Sequence, residues 1–142
     1  MAATLASAKT QLAVQLSDLT NLVWSSTALE EALRSSLAEL CKAYGDSITL
    51  SGLDGAASTT FEDMDTQVLI SGGLAYAIRF RVMGRFEEAS PDDLQTEEMG
   101  QWTAETMNKF QSELTLVRLR RFQRSAEYPY SEWEWEEGRG FL

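Results

Sequence analysis

The 142-residue chain contains no histidine and a single cysteine, Cys41. Without histidine, the commonest general base and the commonest transition-metal ligand are both missing, and one cysteine cannot complete a zinc site. One cysteine also excludes a disulfide within the chain. We therefore expect no catalytic residue, no metal and no cofactor, and the protein is predicted not to be an enzyme. Cys41 falls at an apolar helical position and is interpreted as a small buried hydrophobe.

Basic residues and long apolar runs are scarce as well. Twelve lysines and arginines face 22 acidic residues, which gives a net charge of −10. A surface of this sign repels a phosphate backbone, so attraction to DNA is not expected. No apolar run is long enough to cross a membrane, and the first residues lack the basic and apolar parts of a signal peptide. We expect a soluble protein made in a cytoplasm, with no membrane partner.

Hydrophobic residues, at 44% of the chain, suffice for the core of one domain. Their spacing of three or four predicts four helices: residues 4–19, residues 27–44, a third from a cap at Thr60 or Asp63 to about residue 86, and a long fourth helix ending near residue 124. The predicted fold is all-α, a four-helix bundle-like domain over residues 1–126. An extended arm over residues 127–142 follows it.

Local signals refine the second and third helices. Residues 25–27 offer three consecutive candidate caps for the second helix, Thr27 and Glu30 have the spacing of a capping box, and Gly45 is placed to end the helix. Gly72 and Gly73 lie in the middle of the third helix, where glycine weakens a helix by about 1 kcal/mol. Small residues there indicate that another helix packs closely, so the third helix is predicted to be central.

Alternation of apolar and hydroxyl residues around Ile48 and Leu50 predicts a short strand or hairpin between the second and third helices. Turn formers follow at Gly52, Asp54 and Gly55.

An acidic loop is predicted where the third helix gives way to the fourth. Six carboxylates and no base occupy this stretch: Glu87, Glu88, Asp92, Asp93, Glu97 and Glu98. Part of this charge has an ordinary explanation, since acids in the first turn of a helix stabilise its dipole. A solvated surface loop with no functional role is the alternative interpretation of this stretch.

The arm alternates rings and carboxylates in Glu132-Trp133-Glu134-Trp135-Glu136. In an extended backbone both indoles project from one face, and such apolar surface is normally covered by a partner. The predicted partner-binding residues are Tyr128, Tyr130, Trp133, Trp135 and Phe141. The alternative is that the arm folds back on its own domain.

Four arginines crowd the end of the fourth helix: Arg118, Arg120, Arg121 and Arg124. Because the arm carries five glutamates against one arginine, a net charge of −4, these arginines are predicted to form salt bridges with a neighbouring subunit. A DNA-binding patch is the alternative reading.

Three segments, in this order, carry a resemblance to a known family. They are the first helix followed by Trp24-Ser25, Leu29, Ala32 and Leu33; residues 64–77, MDTQVLISGGLAYA; and the late helix from Trp102 through Phe110 to Arg118-Leu119-Arg120-Arg121. Together the segments resemble the head-to-tail connector (adaptor, or head completion) proteins of tailed bacteriophages. The acid usual four residues after the tryptophan is here Ala28, which shifts the expected helix cap to Ser26 or Thr27.

The resemblance implies a structural protein of the virion neck, made in the cytoplasm of the bacterial host. Such proteins form a homo-oligomeric ring, commonly twelvefold, that binds the portal protein at one end and a tail or neck protein at the other. DNA passes through the bore without specific binding, and an acidic lumen would repel its phosphates. The six carboxylates above become lumen candidates, and the arm becomes the part that grips the portal or the next subunit.

Two other classes stay open on the residues alone. A cytoplasmic assembly chaperone or regulatory binding module would hold a partner with the same arm. An enzyme with a magnesium site at Glu62, Asp63 and Asp65 is the third, although helix-capping acids explain that cluster more simply.

Overall fold

The computed structural model describes residues 2–18, 24–87 and 93–125, with backbone alone at 83–87, 93–99 and 125. Four helices form there: α1 (Leu5–Gln15), α2 (Ser26–Tyr44), α3 (Thr66–Glu87) and α4 (Asp93–Ser125). A short 3₁₀ turn, Asp63–Asp65, leads into α3. The all-α prediction with four helices is confirmed. The predicted arm, residues 127–142, lies outside the described ranges, so its boundary with the domain stays a prediction.

Within these ranges, no helix is both long enough and apolar enough to cross a membrane.

The start of α2 differs from the prediction. Ser25 is the N-cap: its backbone is extended and its hydroxyl accepts a hydrogen bond from the Ala28 N–H at 3.1 Å. The capping box of Thr27 and Glu30, and a cap at Ser26 or Thr27, are therefore wrong. Ser25 precedes the other candidates and already satisfies a free N–H of the first turn, so the helix begins earlier. The end of α2 is as predicted, with Gly45 in the left-handed region at φ 77°.

The first helix is shorter than residues 4–19. It is capped by Thr4 and Ser7, whose side chains form a reciprocal capping box, and its last residue is Gln15. Ser17 takes a positive φ of 56°, which breaks the helical path. The Asp18 carboxylate then accepts a hydrogen bond from the Trp24 N–H at 2.8 Å, which ties the residues after α1 to those before α2.

The third helix is central, as predicted, since α3 contacts each of the other three helices. Its glycines allow this close packing. A Cβ on Gly72 would lie 2.6 Å from the Phe110 ring and closer still to Ser36 Oγ, and one on Gly73 would lie 3.0 Å from Leu33. Ser36 also donates a hydrogen bond to the Leu69 carbonyl at 2.7 Å, which satisfies its buried hydroxyl.

The strand or hairpin predicted between α2 and α3 is wrong, since the described residues contain no strand. The segment is extended, but threonine hydroxyls replace the carbonyls that a ladder needs: Thr60 accepts from the Thr49 N–H at 2.8 Å, and Thr59 from the Ser51 N–H at 3.0 Å. The carbonyl of Ser51 instead accepts from the Leu5 N–H at 2.8 Å, an isolated bridge to the start of α1. Local side-chain hydrogen bonds thus compete with sheet formation.

The core lies between the four helices and under this extended segment. Its largest fully buried apolar side chains are Leu12, Leu29, Leu33, Leu40, Leu50, Leu69, Ile70, Ile78, Phe110 and Leu114. Trp24 closes one side: its indole N–H donates to the Ala77 carbonyl at 2.9 Å, which fixes the start of α2 against α3.

Candidate interaction site

The last turns of α4 are apolar on two opposite sides. Phe110, Leu114 and Val117 face the core and are buried. Leu116, Leu119 and Phe122 are exposed, by 65%, 51% and 71%. We call these three side chains the outer strip.

Helical geometry explains why the two sets separate. With about 3.6 residues per turn, a step of three residues falls about 60° short of a full turn. Leu116, Leu119 and Phe122 therefore occupy one third of the circumference, and Leu119 lies opposite the buried Phe110 and Leu114. The outward side of α4 is thus apolar without being covered by the residues that the structure describes, which is typical of an interaction surface.

Arg118 borders the outer strip. It is exposed, and four residues separate it from Phe122, so the two side chains are neighbours on the helix surface. Within the described part of the chain, Arg118 has no ion pair, whereas Arg120, Arg121 and Arg124 each have one. Among the four arginines of the predicted cluster, Arg118 is therefore the one that no described residue pairs with.

Arg120 binds a buried carboxylate. Its Nη1 and Nη2 donate to the two oxygens of Asp65 at 3.0 and 2.5 Å. The Tyr44 hydroxyl also donates to Asp65, and it accepts from the Glu62 N–H at 3.1 Å. These contacts join the end of α2, the turn before α3 and the end of α4. We call Tyr44, Asp65 and Arg120 the polar brace.

Two further arginines extend the polar brace. Arg121 lies over the Tyr44 ring, 4.2 Å from its centre, and its Nε donates to the Tyr44 carbonyl at 3.2 Å. Arg124 pairs with Glu62. Intrachain partners thus already engage Arg120, Arg121 and Arg124, and the salt bridges to a neighbouring subunit stay a prediction for all four arginines.

Sequence reasoning missed the role of Asp65, which it assigned to helix capping. Asp65 lies four residues before Leu69 and seven before Gly72, so it shares the core-facing stripe of α3. A carboxylate on such a stripe requires a buried cation or hydrogen-bond donors. The position of Asp65 on this stripe could therefore have indicated a buried ion pair. The sequence does not identify the partner, Arg120, which lies 55 residues away.

Tyr44 and Arg120 of the polar brace keep their charge states at neutral pH. Burial, and then the hydrogen bond to Asp65, raise the pKa of Tyr44 to about 12. The hydrogen bonds that Arg120 donates to Asp65 likewise raise the pKa of Arg120. Neither group changes charge near pH 7, so the arrangement suits a structural role and not proton transfer.

The magnesium site weighed for Glu62, Asp63 and Asp65 loses its basis in this geometry. The carboxylates of Asp65 and Glu62 form salt bridges with Arg120 and Arg124. Across residues 2–18, 24–87 and 93–125, no three acidic, cysteine or histidine side chains are grouped so that they could hold a metal ion.

The acidic stretch is less of a loop than predicted. Glu87 is the last residue of α3, and Asp93, Glu97 and Glu98 belong to the first turns of α4, where acids favour the helix dipole. The loop over residues 87–98 is therefore wrong in extent. Glu88 and Asp92 lie outside the described residues, and the lumen position of the six acids stays a prediction.

The predicted partner-binding residues of the arm also lie outside the described residues: Tyr128, Tyr130, Trp133, Trp135 and Phe141. Their role stays a prediction. Among the described residues, the outer strip with Arg118 is the surface that we consider for a partner.

Comparison of the chain with protein-family models, curated proteins and solved structures gave no match.

Proposed function

We propose that this protein is a head-to-tail adaptor of a tailed bacteriophage. It forms a ring below the portal, joins the portal to a tail or neck protein, and encloses an acidic conduit for DNA. Its aromatic arm docks on a partner, and it performs no chemistry.

The observation that carries the proposal is the outer strip. A compact helical domain with its own buried core keeps Leu116, Leu119 and Phe122 in water at the end of its longest helix. Contiguous exposed apolar side chains mark an interaction surface. In the sequence, the arm with its two indoles begins five residues after Phe122.

The polar brace supports a mechanical role. It fixes the last turns of α4 to α2 and to the start of α3 through the buried Asp65. An arm that leaves a fixed helix end starts from a defined position, and less conformational entropy is then lost when it binds. Such a design suits an assembly part that must present its arm in one direction.

The charge supports a passage for DNA. A net charge of −10 gives phosphate groups no attractive surface, so a ring of such subunits would let a genome slide past.

Removing the arm tests the proposal. We expect a chain ending at Ser125 to keep the helical circular dichroism of the full chain, because the described core lies before that residue, and to lose binding to the purified portal protein. The full-length W133A/W135A variant is the matched control for chain length and should also lose binding. Undiminished binding by both variants would refute docking of the arm on the portal protein, and docking on a neighbouring subunit is tested separately below.

Particles made without this protein test the role itself. We expect electron micrographs to show heads that package DNA, then leak it, and carry no tails. Tailed particles of normal appearance, or wild-type virions that lack the protein, would refute an adaptor. The second of these results would favour the assembly chaperone.

A further inference from the structure

We propose that the outer strip of one copy is the receptor for the arm of a second copy, residues 127–142. This inference rests on the proposed function, because it supplies the contact that would close a ring. It assigns the arm a specific site: Leu116, Leu119 and Phe122 for the indoles, and Arg118 for the glutamates.

The dimensions of the two parts agree. From Leu116 to Phe122 the helix rises about 9 Å, at roughly 1.5 Å per residue. Trp133 and Trp135 would lie about 7 Å apart on one face of an extended backbone. Two indoles at this spacing can cover three side chains on adjacent helical turns, and aromatic anchors in apolar contacts dominate the energetics of interfaces.

The charges agree as well. Arg118 is exposed beside Phe122 and has no ion pair within the described part of the chain. The arm carries five glutamates and one arginine. With its indoles against the outer strip, an extended arm turns Glu132, Glu134 and Glu136 to its opposite face, so Arg118 at the rim would be attracted by the arm's net charge of −4 and not by a carboxylate held on the apolar face. A cation at the rim of an apolar strip thus meets an acidic segment.

The point at which the arm leaves α4 favours binding to the outer strip of a second copy over binding to the strip of its own chain. The described chain ends within α4, three residues after Phe122, so an arm that covered its own strip would have to turn back along the helix. An arm that continues outward, with a reach of up to about 50 Å for 16 residues, meets a neighbour without reversing. Since strip and arm are different surfaces, each copy gives one contact and receives one, which is the arrangement that generates rings.

Complementation between two full-length variants tests the inference. L119E/F122E damages the outer strip, and W133A/W135A damages the arm. The two strip residues are exposed, so circular dichroism should show both variants folded. Wild-type protein should form oligomers larger than dimers at high concentration, and each variant alone should be monomeric. Their mixture should form a one-to-one heterodimer, because it restores a single contact between an intact arm and an intact strip.

Native mass spectrometry with light scattering reads out these states. V14E is the matched control, because Val14 on α1 is 57% exposed and its substitution should leave assembly unchanged. R118E should weaken association by no more than about fivefold, as expected for an exposed ion pair, and the loss should shrink in high salt.

Three results would overturn the inference. The first is a wild-type chain that stays monomeric even at millimolar concentration. The second is an L119E/F122E variant that assembles like the wild type. The third is a variant mixture that stays monomeric, as expected if each arm docks on its own strip or on another surface. The proposed function is independent of these results. If the outer strip proves to have no role in assembly but the protein still binds the portal protein through its arm, the proposed function stands.

Discussion

The two sides of α4 have similar side chains and different environments. Phe110 and Leu114 are fully buried, whereas Leu119 and Phe122, two or three turns further on, are mostly in water. Hydrophobicity therefore does not decide burial in this helix. Position relative to α2 and α3 does, because a 33-residue helix turns apolar side chains both toward the bundle and away from it. The side of α4 that the described residues leave uncovered is the side that we propose for a partner.

The largest expected contrast comes from two phenylalanines. F110A should lower the free energy of unfolding by about 3–5 kcal/mol, because it removes a buried ring and leaves a cavity beside Gly72. F122A should change it by no more than about 0.5 kcal/mol in the monomer. Urea unfolding followed by circular dichroism measures both. Equal losses would mean that Phe122 packs inside the folded chain.

A second contrast compares two arginines of the same helix. R120M should cost about 3 kcal/mol of unfolding free energy, because it leaves the buried Asp65 carboxylate without its cation. R118M should cost no more than about 0.5 kcal/mol, since Arg118 is exposed and has no ion pair in the described residues. If chemical denaturation gave similar losses of unfolding free energy for R120M and R118M, Arg120 would not stabilise the fold through Asp65 as proposed.

Two glycines sharpen the same comparison. G72A should lower the unfolding free energy by about 1–3 kcal/mol, because its Cβ would collide with Ser36 and Phe110. G100A, on an open part of α4, should stabilise the protein by up to about 1 kcal/mol through helix propensity. Thermal unfolding of both variants checks the signs. A stabilising G72A would mean that the helices are less closely packed there.

The smallest effect appears in alkaline solution. Tyr44 has a pKa of about 12 in the folded protein and near 10 when unfolded, so its contribution to stability is full below pH 10 and is lost as the pH rises from 10 to 12. Ultraviolet titration of tyrosine should show a late transition that Y44F removes. A transition for Tyr44 near pH 10 would show that the polar brace is open to water.

The sequence predicts the parts of this fold that depend on local chemistry. Gly45 ends α2 because glycine takes the left-handed conformation easily, and Gly72 marks close packing because it lacks a side chain. The sequence does not predict the polar brace, since Arg120 and Asp65 meet only when α3 and α4 are packed together. The strand at residue 49 fails for a similar reason, because Thr60 offers it a hydroxyl instead of a carbonyl.

The candidate site follows the same division. Periodicity identifies Phe110, Leu114 and Val117 as core, and it also assigns Leu119 and Phe122 to a wider apolar stripe. Helical geometry already places Leu119 opposite Phe110, but which side of α4 is covered depends on how α2 and α3 pack against it. No local pattern records that packing, so the outer strip is identified as exposed only in the folded chain.

Radical footprinting of Phe122 tests most directly whether the outward side of α4 serves a partner. The label should modify Phe122 strongly in dissociated monomers and several-fold less in the assembled protein, while the buried Phe110 stays unmodified in both. Equal modification of Phe122 in the two states would show that assembly leaves the outer strip in water, and would contradict its role as an interface.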